Sequence, residues 1–437
     1  MLTELLGRDT IRTYCLVDFK YEKGGFMART MVLFLLIAVS THAGWTETQL
    51  ATDAHLNGLS ILSSEEVWVA GQNGTIFHFT GGIWSPVTTP TTKQLKAIAM
   101  LSPTEGWAAG SEGVILRCQA GVWTELPPVD DQISYEDILA FDSSNVYIIG
   151  YGFLPGGKVM HWDGTQITEV FQIAGNLQEI AASGPDNIWI VGSQNLRVHY
   201  NGTTWTQDTS NLPEACNLWG VAIDENGYPI ICGNRLPDWD KCYILTDTGS
   251  GWTTLYCNYE PWMLAIDVEE TRGFAAGKDG RLIEQTIFGW QRITSPSTRQ
   301  INEIKMAGMA QGFAVCNDGR ILEYREPSVD VVLNQRLYRA NDAFNATCVI
   351  TNPGAQRTVD LFILLDVYGT FFFWPAFSSE VSFETQTMAA QDQYELAILP
   401  EFAWPTGVGS ADGIVFWGAL IEQGNLLAYD TETFGWE

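Results

Sequence analysis

Four cations recur at one point of a repeated unit in a chain that is otherwise strongly acidic. Lys158, Arg197, Arg281 and Arg320 each stand where a third strand opens, while the whole chain holds 51 Asp and Glu against 23 Lys and Arg, a formal charge of −28. Ammonium and guanidinium groups make charge-assisted hydrogen bonds to oxygens, so four of them near one face suit an anionic or carbohydrate ligand. Two neighbouring loops are expanded, Gly150-Tyr151-Gly152-Phe153-Leu154-Pro155-Gly156-Gly157 and Gly233-Asn234-Arg235-Leu236-Pro237-Asp238-Trp239-Asp240. Loops on a rigid scaffold commonly carry binding residues. The candidate binding set is therefore Tyr151, Phe153, Lys158, Arg197, Arg235, Asp238, Trp239, Asp240, Arg281 and Arg320. The competing reading is internal pairing of the cations with nearby Asp279, Asp318 and Asp240.

Catalytic chemistry has less to stand on. His78, His161 and His199 occupy one slot in three different repeats, so they radiate apart instead of converging on one substrate. No Ser/His/Asp arrangement, Gly-rich phosphate loop or metal-ligand spacing is present in the sequence, and no cofactor is expected. Carboxylates are numerous enough to supply a glycosidase pair, but nothing in the sequence sets two of them apart from a solvated acidic surface.

The elements that must position these side chains follow from a repeat. Trp45, Trp84, Trp123, Trp205, Trp252 and Trp290 return about every 40 residues, with Ile167 in the remaining slot. A period of that size belongs to four-stranded propeller blades. Each unit reads as an apolar inner strand, a second strand that in six of the seven units holds an aromatic in fixed register (Trp68, Trp107, Tyr147, Trp189, Phe274, Phe313), a tight turn and a third strand. Fixed register in a strand of period two means a fixed packing layer between blades. The turns Asn73-Gly74, Glu112-Gly113, Asp279-Gly280 and Asp318-Gly319 accept the positive φ of two-residue hairpins. The unit from Ile301 to Tyr324 lacks its closing strand, while Gly44-Trp45-Thr46 is a closing strand without a blade. The expectation is an all-β chain: a seven-bladed β-propeller over 44–326, closed by its N-terminal strand, then a β-sandwich over 327–437.

The later turns Asp163-Gly164-Thr165 and Asn201-Gly202-Thr203-Thr204-Trp205-Thr206 resemble the degenerate Asp-box or BNR repeats of exported propellers. The run Gly106-Trp107-Ala108-Ala109-Gly110-Ser111-Glu112-Gly113-Val114-Ile115 resembles the repeat of seven-bladed photosystem II assembly-factor propellers. Sialidase-like propellers use an arginine cluster with a Tyr and Glu pair, which maps onto no specific positions of this chain.

Met27-Ala28-Arg29-Thr30, the apolar run Met31 to Val39 and Ser40-Thr41-His42-Ala43 read as a secretory signal cut after Ala43, with residues 1–26 upstream of the true initiator. The apolar run is about half of the ~20 residues that span a bilayer, so no membrane insertion is expected. The acidic balance repels nucleic acid and anionic lipid. At 46% hydrophobic residues it is not the acidity of a disordered chain. Export permits disulfides, and Cys232 with Cys242, and Cys216 with Cys257, are the expected pairs, with free buried thiols as the alternative.

Beyond Pro327 the repeat stops. Runs at Val329 to Leu333, Phe344 to Ile350, Val359 to Tyr368, Val381 to Phe383, Tyr394 to Leu399 and Ile414 to Ile421 read as strands, broken by Asn352-Pro353-Gly354. The stretch Ala346 to Asp366 resembles bacterial adhesion-related sandwiches of immunoglobulin-like topology. Phe371-Phe372-Phe373-Trp374-Pro375 and Phe402-Ala403-Trp404-Pro405 read as core, or as an aromatic strip. The function expected is an exported binding or scaffold protein with an extracellular protein or carbohydrate partner. The alternatives are a propeller glycosidase or polysaccharide lyase, and an assembly factor for a membrane complex.

Overall fold

The computed structural model describes residues 44–152, 156–237, 241–269, 272–286, 289–308, 310–352, 356–389, 392–407, 409–422 and 425–437. The expected signal and upstream residues, together with Phe153, Asp238, Trp239 and Asp240, lie outside them. The described residues form two compact units, one ending at Glu326 and one running from Pro327 to Glu437. Among them no helix is long and apolar enough to cross a membrane.

The first unit is a ring of seven four-stranded antiparallel sheets. Blade 1 runs Leu56–Ser63, Glu66–Gly71, Ile76–Thr80, Ile83–Val87. Blade 7 takes its first three strands from Ile301–Met306, Gln311–Cys316 and Arg320–Arg325, and its fourth from Trp45–Gln49, with Trp45 opposite Tyr324 and Gln49 opposite Arg320. The N-terminal segment therefore closes the ring. The aromatic layer packs across blade boundaries: five of the six closing Trp reach the second-strand aromatic of the blade before them, while Trp290 packs against blade 5, whose second strand Pro229–Arg235 carries no aromatic. Ring centroids lie 5.3 Å apart for Trp45 and Phe274, 6.3 Å for Trp123 and Trp68, and 6.0 Å for Trp252 and Trp189. Blade 3 has Ile167 in the closing slot, and Trp162, directly opposite it on the third strand, supplies the ring instead, 5.1 Å from Trp107.

The paired turns adopt the expected geometry, with Asn73 at φ 58° and Gly74 at φ 67°, and blade 4 reaches the same form with Gln194 and Asn195. Glycine is needed at Gly74 for a second reason. A Cβ there would sit 1.9 Å from the Thr91 carbonyl oxygen, because the turn is stapled to the chain entering blade 2 by Gly74 N–H to Lys93 O at 2.8 Å. The later turns close on their own polar side chains: Asp163 Oδ1 accepts from the Thr165 amide and hydroxyl, and Asn201 Oδ1 does so from Thr203.

Inner strands are longer than their apolar cores suggest, for example Leu56–Ser63 where the sequence pattern points to Leu59–Ile61. All seven carry a bulge at the same place, after Leu56, Leu95, Tyr135, Leu177, Leu218, Met263 and Ile301. A bulge breaks the two-residue alternation and hides the first turn of the strand from pattern reading.

The second unit faces a three-stranded sheet, Ser328–Leu333, Ala343–Asn352 and Asp392–Ala403, with a larger sheet centred on Arg357–Val367 and Ala411–Glu422. Phe344, Cys348, Leu361, Ile363, Phe416 and Phe434 fill the space between them. Val381–Phe383 is not a strand; the strand follows it at Glu384–Met388. Trp374 is core, whereas Phe402 is partly exposed. Asn352 ends its strand, and Pro353 and Gly354 lie outside the described residues.

Candidate functional site

Lys158, Arg281 and Arg320 hold the same place in blades 3, 6 and 7, whereas in blade 4 Leu196 takes that place and Arg197 stands one residue further along, opposite Val191; each cation is met by carboxylates of its own surroundings. Lys158 Nζ lies 3.2 Å from Glu169 and 3.5 Å from Asp130. Arg197 is 1% exposed and stacked over the Trp252 ring; its Nε donates to Asp208 at 3.0 Å and its Nη2 to the Ser210 carbonyl at 2.6 Å. The Ser210 and Arg197 hydrogen bonds outweigh burial and draw the Asp208 pKa down to about 2. Arg281 pairs with Glu260 at 2.9 Å, and Arg320 pairs with Glu47 of the closing strand. These partners come from outer strands and blade linkers, not from Asp279 or Asp318; Asp240 lies outside the described residues. The four cations do not converge on one ligand. They fasten each third strand to what lies outside it.

Tyr151 is half-buried at the end of Asn145–Tyr151, with its pKa raised by burial and by the neighbouring Glu136. Arg235 Nη1 lies 3.7 Å from Glu214. The histidines are a repeat feature: His78 and His199 stack on Trp68 and Trp189. His161 and His199 bond Asn145 and Asn187 at 2.9 Å, and His78 bonds Glu66. The expected disulfides are not formed; all seven cysteines among the described residues are free thiols. Cys232 and Cys242 lie in one apolar cluster between blades 5 and 6, where burial pushes the Cys242 pKa up to about 12.

A second constellation lines the axis. Asp137, Glu179 and Glu303 follow the bulges of blades 3, 4 and 7, and Asp267 and Lys305 stand two residues further along blades 6 and 7. An inner strand is an edge strand, so its backbone groups need partners. Asp137 Oδ2 accepts from Ile180 N–H at 3.0 Å, Glu179 Oε2 from Val221 N–H at 3.1 Å and Asp267 Oδ2 from Met306 N–H at 2.6 Å, each bond reaching the next blade. Lys305 Nζ lies 2.9 Å from Glu303, and its side chain, ringed by inner strands, keeps 36% exposure to the axial channel. Burial, then the charge of Glu303, pushes the Asp137 pKa up to about 7 and the Glu179 pKa higher than usual. Burial opposes the charge on Lys305, but Glu303, Asp137, Glu179 and Asp267 together raise its pKa. No group of three or more His, Cys, Asp or Glu among the described residues has metal-binding geometry. The cluster joins blades.

A third constellation occupies the loop face of blades 5 and 6. In the bulge column most blades carry polar residues (Asn57, Lys96, Glu136, Gln178, Asn302), but blade 5 carries Trp219. In the column just before the inner strand (His55, Gln94, Ser134, Asn176, Asn217, Gln300) blade 6 carries Trp262. The two indoles stack with centroids 6.0 Å apart and planes 10° from parallel. Lys278 lies 5.0 Å over Trp262, and Lys241 lies 4.9 Å over Tyr259, which is 70% exposed. Beside them a groove of about 450 Å³ is lined by Asp279, Arg281, Arg292 and Ser297, among others. Arg292 reaches Glu260 only at 3.7 Å and stays largely exposed, while Arg281 takes the closer carboxylate oxygen. The result is an aromatic platform bordered by Lys241, Lys278 and Arg292. Pattern reading passed over Trp219 and Trp262. Alignment of the seven units column by column is the signal that finds them, because each puts an indole where most blades put a polar side chain.

No family model matches the chain, and no curated protein matches its sequence. Solved structures match its fold. A structure titled YCF48 bound to D1 peptide aligns over 66% of this chain and 99% of its own, at 18% identity and TM-score 0.54. YCF48 from Cyanidioschyzon merolae aligns over 65% and 99% at 14% identity and TM-score 0.50. The WD40 β-propeller domain of Doa1 aligns over 65% and 97% at 11% identity and TM-score 0.52. At these identities the likeness is one of fold: the first unit is a propeller of the kind seen in YCF48 and in WD40 proteins.

Proposed function

We propose that this protein is an exported, non-catalytic binding or scaffold protein whose propeller offers its loop face at blades 5 and 6 to a protein partner. The observation that carries the reading is the stacked Trp219–Trp262 pair with Lys278 above it, in a chain of net charge −28. A half-buried aromatic pair beside cations supplies both contact area and a preference for acidic or carbonyl-rich segments, the anchor chemistry of protein interfaces. The fold neighbour titled as bound to a D1 peptide supports a polypeptide ligand by analogy of fold alone. The C-terminal unit serves as an immunoglobulin-like attachment or spacing module.

The test is panning of a phage-displayed random peptide library on the exported protein, with Lys278→Glu and Trp219→Ala variants as counter-selection, beside a glycan array. Peptides that bind the parent at least tenfold better than either variant support the reading. Sugar release from polysaccharide abolished by one carboxylate change, or peptide binding indifferent to both variants, contradicts it.

A further inference from the structure

In a sandwich one face of each sheet is buried and the other alternates to polar residues. The larger C-terminal sheet departs from this. The register aligns Leu364 with Trp417 and Phe373, and Phe362 with Ala419, which in turn faces Tyr429. The intervening residues Leu361, Ile363, Phe416 and Leu420 fill the core, so Phe362, Leu364, Phe373, Val415, Trp417 and Tyr429 point outward. Tyr429 is 56% exposed, and Phe383, 40% exposed, packs its ring 4.8 Å from Phe362. The exposed aromatics of this face, Tyr429 and Phe383, offer flat rings with a polar or apolar edge to a ligand.

We infer that this face binds a neutral polysaccharide. Four strands at ~4.8 Å spacing and five residues at ~3.4 Å rise give an apolar centre on the order of 200 Å². A stable protein interface needs about 800 Å² per partner, and two copies would each bring a charge of −28. A chain of sugar rings needs less area: the C–H faces of pyranoses rest on aromatic rings while their hydroxyls meet polar neighbours. Those neighbours are present. Thr431 and Thr433 stand beside Trp417 and Val415, and Thr385 donates to Asp360 at 2.6 Å. Asp360 and Asp366 are the charged groups at the described outward positions of these strands, and neither is a cation, so the face selects against anionic glycans.

The experiment is native affinity electrophoresis of the whole protein in gels containing hydroxyethylcellulose, xylan, laminarin or galactomannan, with alginate as the anionic control. At least one neutral polymer retards the protein and alginate does not. Trp417→Ala and Tyr429→Ala each weaken retardation at least fivefold with an unchanged melting temperature; Tyr429, being exposed, keeps the test valid if Trp417→Ala misfolds. Lys278→Glu leaves retardation intact, which separates this site from the propeller face. Retardation by none of the four neutral polymers, retardation by alginate alone, or retardation that Tyr429→Ala leaves unchanged overturns the inference. So does a sedimenting dimer that Tyr429→Ala converts to monomer, which would assign the face to a second copy.

Discussion

The third-strand cations and the aromatic rim of blades 5 and 6 share the loop face of one ring, yet they differ in what they have left to give. Arg197 spends its donors on Asp208 and Ser210 and its face on Trp252. Lys278 lies over the Trp262 indole, which stacks on the Trp219 indole. A recurrent charge in a repeat is a structural part, copied with the blade. A residue that breaks its column is the better guide to a ligand. The axial cluster adds a third case, in which the irregular residues Asp137, Glu179 and Asp267 are consumed in joining blades and Lys305 in pairing with Glu303 of its own strand.

The comparison breaks first if Lys305 is dispensable. Lys305→Met leaves four carboxylates without their cation; removing one partner of a buried charge group costs about 3–5 kcal/mol, and the solvent that reaches Lys305, 36% exposed, brings this to the lower end, about 3 kcal/mol. The melting temperature at pH 7.5 should fall by roughly 6–12 °C, and by less at pH 5, where Asp137, its pKa raised to about 7, holds its proton. Arg197→Ala should follow, costing about 2–4 kcal/mol by stranding Asp208 and the Ser210 carbonyl. Chemical denaturation of each variant measures both.

A smaller effect has the opposite sign. Asp137 has its folded pKa raised from 3.8 to about 7, so the folded state binds the proton more tightly than the unfolded state. Its contribution is fully present below pH 3.8 and is lost as the pH rises through 7. Asp137→Asn should therefore gain about 1–2 kcal/mol at pH 8 and show a flatter stability profile between pH 4 and 8 in pH-stepped melts. The smallest effect is a labelling count. Among the described residues Cys257 is the exposed thiol, while Cys118, Cys216, Cys232, Cys242, Cys316 and Cys348 are buried, and Cys15 leaves with the expected signal segment. One equivalent of a thiol reagent should react with the native protein and the remainder only after unfolding.

The ring was legible because most of its signals are local and repeated, as in the Asn73-Gly74 turn type and the second-strand aromatics, and because the one long-range pairing, Trp45 with Tyr324, joins the single orphan strand to the single unit that lacks one. The inner bulges were hidden because one extra residue shifts the alternation on which strand reading depends. Asp137, Glu179, Asp267 and Lys305 are more than 30 residues apart between blades and meet only through ring closure, so no spacing announces them. In the C-terminal unit the strand Asn425–Trp436 escaped because Asp430 and Glu432 point inward on a polar pattern. Of the candidate site, the loops of blades 3 and 5 led to the loop face on which the proposed platform lies, but the third-strand cations chosen on it are paired with Glu169, Asp208, Glu260 and Glu47.

The central claim is that Lys278 and the Trp219–Trp262 pair bind while Arg197 only supports. It is tested most directly by measuring, on Lys278→Glu and Arg197→Ala side by side, the affinity for a library-selected peptide at 15 °C and the melting temperature. The account predicts an affinity loss of tenfold or more with an unchanged melting temperature for Lys278→Glu, and the reverse for Arg197→Ala. Equal affinity for Lys278→Glu and parent, or peptide binding abolished by Arg197→Ala in a fully folded protein, would contradict it.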